Sequence, residues 1–351
     1  MRKSAWLVRW LVGVFVGTLL MATTSPLFLR NYPPRMFCEE RQAVVFAPDV
    51  VYRWRREGYA TTRFGPMGTV GSSSRSDVPE VRVALWGDSQ AEGVCVSDEE
   101  KIAYQTERLT EEFAGRDTDV SVLCFARSGD HSNHWISQIA SLARHDVNFD
   151  VHAFLVTQSE DWCIEAETPA ERLSTMEAFT AEHVPAFLIE AVRNTLTVDG
   201  SGSPRRLRWT LGPVEMSTLT EASGVRNVRD EKQRTKRRLF SQVDRLHRTI
   251  AADDRVPRLL FLYAPLSPSI TGGQLLEKPE SDWFYEALRE AAQRTNAEVI
   301  DLTEAMQDSV DQGQWPRGFH HGRFGSGHYN AVGNRIIAGR LAEWILQEQS
   351  K

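Results

Sequence analysis

Hydrophobic residues from position 81 onward form short runs that alternate with longer stretches of helical periodicity. A short, mainly apolar run of six or seven residues is typical of a strand that is buried on both faces of a sheet. Runs that alternate with helical stretches predict right-handed βαβ connections. The expected fold class is therefore α/β, a three-layer sandwich around a mostly parallel five-stranded sheet. The predicted strands are Val81–Trp86, Val120–Phe125, Val151–Thr157, Arg258–Ala264 and Ala297–Leu302.

One interval between predicted strands is too long for a simple connection. The third and fourth strands are about a hundred residues apart, whereas a crossover needs a few dozen at most. Residues 168–254 are therefore interpreted as an insertion. The pattern of its second half predicts one helix that is basic at its start and amphipathic at its end. The basic residues form either a solvated charged face or a contact with anionic lipid headgroups or an anionic polymer. The residues that carry this pattern are Arg226, Arg229, Lys232, Arg234, Lys236, Arg237, Arg238, Leu239, Val243, Leu246 and Ile250.

The N-terminus has the pattern of a membrane-targeting segment. Trp10–Leu29 contains no charged residue and corresponds to about 30 Å of helix, the thickness of a bilayer core. Arg2, Lys3 and Arg9 precede it, which predicts a cytoplasmic N-terminus and an extracytoplasmic remainder, periplasmic or extracellular. A cleaved signal peptide is the alternative, because small residues lie at Ala22–Ser25. We favour a single uncleaved anchor.

These patterns divide the chain into three parts. Residues 1–30 are the predicted anchor or signal segment, residues 31–80 a juxtamembrane lead-in and Gly/Ser-rich linker, and residues 81–351 the α/β domain. The hydrophobic content of 41% excludes a disordered or collagen-like chain. The 41 basic and 47 acidic residues give a net charge of −6, which argues against nucleic acid as a partner.

The cysteines do not form a recognisable metal or redox motif. Cys38, Cys95, Cys124 and Cys163 lack CxxC spacing, which argues against a zinc knuckle or a thioredoxin-type site. Export would permit disulfides, and four cysteines allow three complete pairings. The alternative is that they are small buried hydrophobes, as expected for Cys124 within its apolar run.

Candidate chemistry lies at the end of the first predicted strand. Gly87, Asp88 and Ser89 follow that strand directly and precede a helix. A serine at a sharp strand-to-helix turn projects its hydroxyl at the carboxyl edge of the sheet, where α/β proteins bind ligands. The free N–H groups of the helix start there suit a developing negative charge. The alternative role for Ser89 is that of a simple N-cap.

The stretch VRVALWGDSQAEGVCV resembles block I of the SGNH (GDSL-type) hydrolase family. Ser128-Gly129-Asp130, after the second strand, is similar to block II, and GSGHYNAVGNRIIAGRLAEWI resembles block V, with His328 and Asn330 in it. The resemblance implies the flavodoxin-like SGNH fold with Ser89 as nucleophile and His328 as general base. It also implies an oxyanion hole formed by the backbone N–H groups of Ser89 and Gly129.

Such a site has the chemistry of acyl transfer, and it requires no metal or other cofactor. The resemblance implies a serine esterase or acyltransferase that acts on a small ester, plausibly an acyl or acetyl group on an extracytoplasmic carbohydrate. The predicted cleft also carries polar and aromatic residues. These are His131, Asn133, His134, Trp135, Trp162 and Tyr329. The candidate substrate-contacting or supporting residues are Asp88, Asn133, Glu160, Asp161 and Asn330.

Two positions depart from the family pattern. Block III usually reads GxND; here Glu160 occupies the Asn position and only Asp161 matches, and an ionised carboxylate cannot donate a hydrogen bond. The remaining candidate donors for the oxyanion are Gln158, Ser159 and Asn133. Block V usually reads DxxH, and here Gly325 stands three residues before His328. A Ser–His dyad results unless Asp301, Asp161 or a backbone carbonyl takes the acid's role.

Two other functions remain open at this stage. The missing Asn and Asp favour a catalytically impaired domain that binds a glycan or a protein partner. A metal-dependent hydrolase is the less favoured alternative, because no HExxH or comparable cluster accompanies the histidines. The residues that suggest it are Asp130, His131, His134, His320, His321 and His328.

Overall fold

The computed structural model describes residues 2–55, 57–71, 79–114, 119–162, 183–196, 228–251, 257–271, 274–276, 282–320 and 324–351. The predictions for Arg226, His321 and Cys163 lie outside these residues, as do residues 168–182 and 197–227 of the insertion. The strands are β1 Arg35–Cys38, β2 Ala43–Phe46, β3 Val51–Arg53, β4 Thr61–Arg63, β5 Val81–Trp86, β6 Val120–Cys124, β7 Val151–Val156, β8 Arg258–Tyr263, β9 Ser269–Thr271, β10 Gln274–Leu276 and β11 Glu298–Asp301. The α-helices are α1 Arg2–Phe28, α2 Ser89–Glu92, α3 Ile102–Ala114, α4 Ser132–Arg144, α5 Ala186–Leu196, α6 Val228–Ile250, α7 Asp282–Arg294, α8 Thr303–Asp311 and α9 Ala331–Gln349.

The central sheet confirms the predicted α/β class. Its five strands have the order β11-β8-β7-β5-β6, and every neighbouring pair is parallel. Helices α3 and α9 cover one face, and α4, α6 and α7 cover the other. Because the strand order reverses beside β5, the turn after β5 lies at the switch point where open α/β sheets bind ligands.

The helix predicted in the second half of the insertion is present as α6. The apolar positions Leu239, Val243, Leu246 and Ile250 are all buried against the same hydrophobic cluster as β7 and β8. Helix α6 therefore covers the sheet as the helix that returns the chain from β7 to β8. Its spacing predicted this buried face because residues three and four apart share one side of a helix.

The lead-in segment packs on the α/β domain. Strands β1 and β2 form one antiparallel pair, and β3 and β4 form another. Tyr52, Phe64 and Val70 are buried in the same cluster as α3 and α9. The N–H of Val70 also donates to the carbonyl of Cys124 at the end of β6, at 3.0 Å. Much of the segment between residues 35 and 71 is thus ordered against the carboxyl edge of the sheet.

A buried arginine fastens the lead-in to the domain. Arg41 is 1% exposed, and its guanidinium donates to Gln138 Oε1 at 2.7 Å, to the Phe125 carbonyl at 2.7 Å and to the Met67 carbonyl at 3.0 Å. Burial lowers its pKa to about 10. The charge is therefore held in a desolvated place by three acceptors from three parts of the chain.

Replacement of Arg41 by methionine should destabilise the protein. Methionine fills a similar volume but leaves three buried acceptors unpaired, and we expect the free energy of unfolding to fall by about 3 kcal/mol. Urea unfolding followed by tryptophan fluorescence measures it. Arg144→Met is the control, because Arg144 is exposed and bonds only the carbonyl of Ala140. Equal unfolding midpoints for the two variants would contradict the role given to Arg41.

Helix α1 contains the predicted targeting segment. Its stretch Ala5–Phe28 has a mean hydropathy of 1.8 and is long and apolar enough to cross a membrane, although a signal sequence has the same properties. The Arg55 side chain donates to the carbonyl of Leu27 at 3.3 Å. Asn31 donates to the carbonyl of Val51 at 2.7 Å. The end of α1 is thus joined directly to strand β3 and the residues after it.

The three cysteines in the described residues, Cys38, Cys95 and Cys124, are buried free thiols. These three cysteines are therefore small buried side chains and do not form disulfides with one another. Burial raises the pKa of the Cys124 thiol to about 12, so it stays protonated near neutral pH.

Candidate active site

The turn after β5 presents Ser89 at the start of α2. The Asp88 carboxylate accepts a hydrogen bond from the N–H of Gln90 at 2.9 Å and caps the helix. The turn requires glycine at position 87, because a Cβ there would lie 2.6 Å from Cβ of Ala91. The indole N–H of Trp135 donates to the Gly87 carbonyl at 3.2 Å and fixes the same turn. Asp88 is the cap, and Ser89 is left free to point outward.

His328 and Glu57 complete a chain of three polar contacts from Ser89. His328 Nε2 lies 3.1 Å from Ser89 Oγ, and His328 Nδ1 lies 2.8 Å from Glu57 Oε2. The other carboxylate oxygen, Glu57 Oε1, accepts the backbone N–H of His328 at 3.0 Å. The carboxylate therefore holds both the ring and the main chain of the histidine. This is the geometry of a Ser–His–acid triad, in which the acid fixes the ring so that Nε2 faces the serine.

The acid comes from the lead-in segment, where the sequence offers no motif for it. Asp301, one of the acids considered above, accepts instead from the N–H of Thr303 at 2.9 Å and from the Thr303 hydroxyl at 2.6 Å, next to the start of α8. Sequence reasoning therefore missed Glu57. The available signal was indirect: the usual acid position before His328 is glycine, so another carboxylate had to be sought elsewhere in the chain.

Three glycines explain how Glu57 reaches the histidine. Gly58 has φ +75°, and a Cβ there would lie 1.7 Å from the Cys95 carbonyl oxygen. Gly327 has φ +91°, and a Cβ there would lie 2.2 Å from Glu57 Oε1. Gly325, in the usual acid position, has φ +70° and would place a Cβ 2.9 Å from Ile270. An aspartate at 325 is thus strained and crowded, whereas glycine at 327 leaves room for the carboxylate of Glu57.

The loop that carries His328 is held on both sides of the histidine. The Gln90 side chain accepts the N–H of Tyr329 at 3.0 Å and donates to the carbonyl of Gly327 at 3.4 Å. Arg317 donates to the Gly327 carbonyl at 2.7 Å from Nη2 and at 3.2 Å from Nε. Gln90 thereby ties the nucleophile turn to the histidine loop, which fixes the distance between Ser89 and His328.

The loop after β6 borders the other side of the serine turn. Gly129 is exposed with φ +87°. Its neighbour Ser128 donates both its N–H, at 2.6 Å, and its hydroxyl to the carboxylate of Glu92. Burial raises the pKa of Glu92. Asp130 accepts from Arg127 Nε at 3.0 Å and from Gln138 Nε2 at 3.1 Å. The loop is therefore anchored on both sides of Gly129, while Gly129 itself stays open.

The other predicted site residues have structural contacts of their own. Asn133 is buried, and its carbonyl oxygen accepts from Gln242 at 3.1 Å and from Arg245 at 3.2 Å, both on α6. Asn330 caps α9 through the N–H groups of Val332 and Gly333. Glu160 is exposed in a short 3-10 helix. Through these contacts Asn133 and Asn330 stabilise the loops around the site.

The aromatic residues expected in the cleft lie in the core instead. Trp135 and Tyr329 are each 1% exposed, and Trp162 is fully buried. Trp135 and Trp162 pack edge to face at 5.3 Å, and the Tyr329 hydroxyl donates to the Ala264 carbonyl at 2.7 Å. The expectation that these rings line a substrate cleft was wrong: they belong to the hydrophobic core clusters, where burial of their large apolar area is favourable.

Asp161 is the one residue that matches block III, and its carboxyl is mostly buried. Burial, reinforced by the nearby charge of Asp88, raises its pKa to about 7. The Gln158 amide approaches it at 3.5 Å. Between about pH 4 and pH 7 the folded protein therefore binds this proton more tightly than the unfolded chain does, and the contribution of Asp161 to stability falls as pH rises through this window.

Replacement of Asp161 by asparagine should consequently stabilise the protein at high pH only. We expect the free energy of unfolding to exceed that of the wild type by about 2 kcal/mol at pH 8, and the difference to vanish near pH 4. Urea unfolding at the two pH values measures it. Asp308→Asn serves as the control, because Asp308 is exposed on α8. A constant difference between pH 4 and pH 8 would contradict the assigned pKa.

The histidines considered as metal ligands do not converge. Within the described part of the chain, the one group of three or more acidic, His or Cys side chains whose ligand atoms lie within 4.8 Å of one another is Glu57, Cys95 and His328. His131 and His134 stack on each other with ring centroids 3.9 Å apart, and His320 stacks on Phe324. Burial, followed by the neighbouring His134, lowers the pKa of His131 to about 4.

Fold and site together place a serine, a histidine and a carboxylate in line at the switch point of a parallel sheet. Solved structures similar to this chain include a two-domain esterase (CEX) active on acetylated mannans, with 10% identity and a TM-score of 0.42. That comparison covers 77% of this chain and 50% of the other, so the chain spans about half of that protein's length.

Two further similar structures were found. The psychrotrophic esterase EstA from Pseudoalteromonas sp. has 11% identity and a TM-score of 0.40, over 78% of this chain and 100% of that one. The acetyl xylan esterase AlAXEase has 13% identity and a TM-score of 0.41, over 76% of this chain and 99% of that one. No family model matches the sequence, and no curated protein matches it.

Proposed function

We propose that the chain is a serine esterase or acyltransferase of SGNH type. The observation that carries the proposal is the continuous set of contacts from Ser89 Oγ through His328 to the Glu57 carboxylate, at 3.1 and 2.8 Å. A serine hydroxyl is a weak nucleophile near neutral pH and becomes effective when a base within hydrogen-bond reach takes its proton. The presence of an acid partner argues against the catalytically impaired alternative.

The mechanism follows from the position of each group. Ser89 Oγ attacks the ester carbonyl carbon while His328 Nε2 takes the hydroxyl proton, and Glu57 stabilises the charged imidazole. The N–H groups of Ser89 and Gly129 are the proposed donors to the oxyanion. The C–O bond of the ester then breaks, and the alcohol leaves with the proton from His328. Water or a second hydroxyl, activated by the same histidine, releases the acyl group from Ser89.

The same acyl-enzyme serves hydrolysis and transfer. If water attacks it, an ester is lost; if a sugar hydroxyl attacks it, a new ester is made. We propose an acyl or acetyl ester of an extracytoplasmic carbohydrate as the product or substrate, as the family resemblance implies. Two observations support an uncleaved anchor. The end of α1 forms direct hydrogen bonds with the domain, and Ser25 on α1 is buried, with 5% exposure.

A covalent label tests the nucleophile. The full chain in mild detergent should react with one equivalent of a fluorophosphonate probe and hydrolyse p-nitrophenyl acetate, and Ser89→Ala should do neither. Ser350→Ala is the matched control, because its exposed hydroxyl bonds only the Leu346 carbonyl. Labelling that persists in Ser89→Ala, or a folded wild type that does not label, would overturn the proposal.

A chelator tests the metal-dependent alternative. The ligand atoms of Glu57, Cys95 and His328 lie close enough together to hold a metal ion. Under the serine mechanism, dialysis against EDTA leaves the esterase rate unchanged. A rate that disappears on dialysis and returns with stoichiometric zinc would favour the metal-dependent hydrolase instead. Metal analysis of the dialysed protein confirms that the site was emptied in the experiment.

A further inference from the structure

A cavity of about 350 Å³ adjoins the loop that carries Gly129. One wall is formed by this loop, Glu92 and the start of α4, and a second wall is formed by Arg30 at the end of the anchor segment and by lead-in residues. Asp130, Arg127 and His134 belong to the first wall; Arg30, Arg35, Val44, Phe46, Tyr52 and Trp54 belong to the second. Neither Ser89 nor His328 lines it. The cavity is thus a neighbour of the triad, separated from it by the predicted oxyanion loop.

The charges in the cavity favour an anion. Three arginines and a histidine face two carboxylates, and both carboxylates have partners. Asp130 forms an ion pair with Arg127 at 2.5 Å. Glu92 accepts from Ser128, and the charge of the buried Lys101 acts on its carboxylate. The cavity therefore keeps the positive charge of Arg30 and Arg35.

Arg30 is arranged for a ligand that is not part of the described chain. Its guanidinium carbon lies 4.8 Å from the centre of the Trp54 ring, 5.2 Å from that of Tyr52 and 5.4 Å from that of Tyr32. Its Nε is buried without a hydrogen-bond partner among the described residues. Aromatic faces hold a guanidinium in place, and the Nε–H without a partner suits an oxygen of a phosphate.

The position of Arg30 shows where the anion would come from. Arg30 is two residues after the end of α1, a distance of at most about 7 Å along the chain. When α1 spans a bilayer, Arg30 lies at the boundary where lipid phosphates are found, and a basic side chain there attracts anionic headgroups. Glu57 of the triad follows Arg55, which bonds the last turn of α1. The catalytic groups and the cavity therefore both lie close to that surface.

We propose that this cavity binds the phosphate of a membrane lipid and that this lipid carries the ester that acylates Ser89. The statement about the acyl donor rests on the proposed function, whereas the statement about binding does not. Phosphate oxygens contact Arg30 and Arg35, and the ester carbonyl reaches Ser89 past Gly129. Ser89 Oγ bonds to the acyl carbon, the lipid leaves as an alcohol with the proton from His328, and water or a sugar hydroxyl accepts the acyl group.

Binding is tested without catalysis in the full-length Ser89→Ala variant in neutral detergent micelles. Isothermal titration compares a short-chain diether phosphatidylglycerol, the matched diether glycerol that lacks phosphate, and inorganic phosphate. The phosphate-bearing lipid should bind at least about tenfold more tightly than either of the others. Equal binding of the two lipids would overturn the phosphate contact, and inorganic phosphate that binds as tightly as the lipid would identify a site for free phosphate instead.

Variants assign the contact to the cavity. Arg30→Gln and Arg35→Gln should each weaken the lipid's affinity about tenfold, and Arg30→Lys should restore part of it. Arg340→Gln is the control, because this exposed arginine on α9 pairs with Glu343. Unchanged affinity in both cavity variants would overturn the proposal, and the two separate positions guard against a folding defect in one of them.

A kinetic experiment tests the link to catalysis. In the chain with Ser89 intact, the diester form of the same lipid should show a KM raised about tenfold by Arg30→Gln with kcat little changed, because only binding is weakened. The control variant Arg340→Gln should change neither KM nor kcat. A chain that binds the diether lipid but never labels with fluorophosphonate would contradict the proposed function and leave the binding site standing.

Discussion

Replacement of Glu57 by glutamine should lower kcat for p-nitrophenyl acetate by about 10³- to 10⁴-fold with little change in KM. Glutamine keeps the shape of the side chain, but its amide can donate to His328 Nδ1 and so place the ring proton on Nε2. A histidine in that tautomer cannot take the proton of Ser89. The missing negative charge also removes the stabilisation of the imidazolium.

The controls separate this effect from a structural one. Glu99→Gln changes an exposed carboxylate outside the triad and should leave kcat unchanged. Restoring the usual family acid by Gly325→Asp in the Glu57→Gln background should not rescue activity, because position 325 has φ +70° and faces Ile270. A fall in kcat of less than tenfold in Glu57→Gln, with near-UV circular dichroism unchanged, would show that Glu57 is not the acid of the triad.

Replacement of Gly327 by alanine should lower kcat/KM by about 10²- to 10³-fold, because displacement of a positioning group by about 1 Å has this order of cost. The new methyl group would lie 2.2 Å from Glu57 Oε1, so the carboxylate must leave its place beside His328. Stopped-flow labelling with the fluorophosphonate probe measures the loss directly as a slower reaction of Ser89.

Gly313→Ala is a matched control for backbone strain. Gly313 also has a positive φ, +77°, but a Cβ there meets no atom within 4 Å. Both variants should lose about 1 kcal/mol of stability, since alanine is strained in the left-handed region, and only Gly327→Ala should lose activity. Equal activities for the two variants would show that the contact with Glu57 does not control the nucleophile.

The strands of the central sheet were predictable because each coincides with a short, mainly apolar run in the sequence. Val151–Val156 and Arg258–Tyr263 are apolar throughout or nearly so, and such runs are buried whatever surrounds them. Ser89 was expected at a strand-to-helix turn after Gly87, and His328 followed from the resemblance of its stretch to block V; the structure places Ser89 Oγ and His328 Nε2 3.1 Å apart. Helix α6 likewise followed from the spacing of its four buried residues.

Glu57 could not be predicted in this way. It lies 271 residues from His328 in sequence, and its neighbours have neither strand nor helix periodicity. Its role depends on how β3 and β4 pack against the domain, which is a tertiary property. The buried state of Trp135 and Tyr329 was missed for the same reason, because a residue's distance from a catalytic group along the chain does not show whether it faces the cleft.

The origin of the acid in the lead-in also has a consequence for the timing of biosynthesis. Glu57 leaves the ribosome before the sheet exists, and His328 is added 271 residues later. At about 5 to 20 residues per second this interval is about 15 to 55 s. For all but the first 32 residues of that interval (89 − 57) the growing polypeptide already holds Ser89 but has no base and no assembled triad. The nascent chain is therefore inert toward the esters it meets, and reactivity begins when the last tenth of the chain folds back onto its first hairpins.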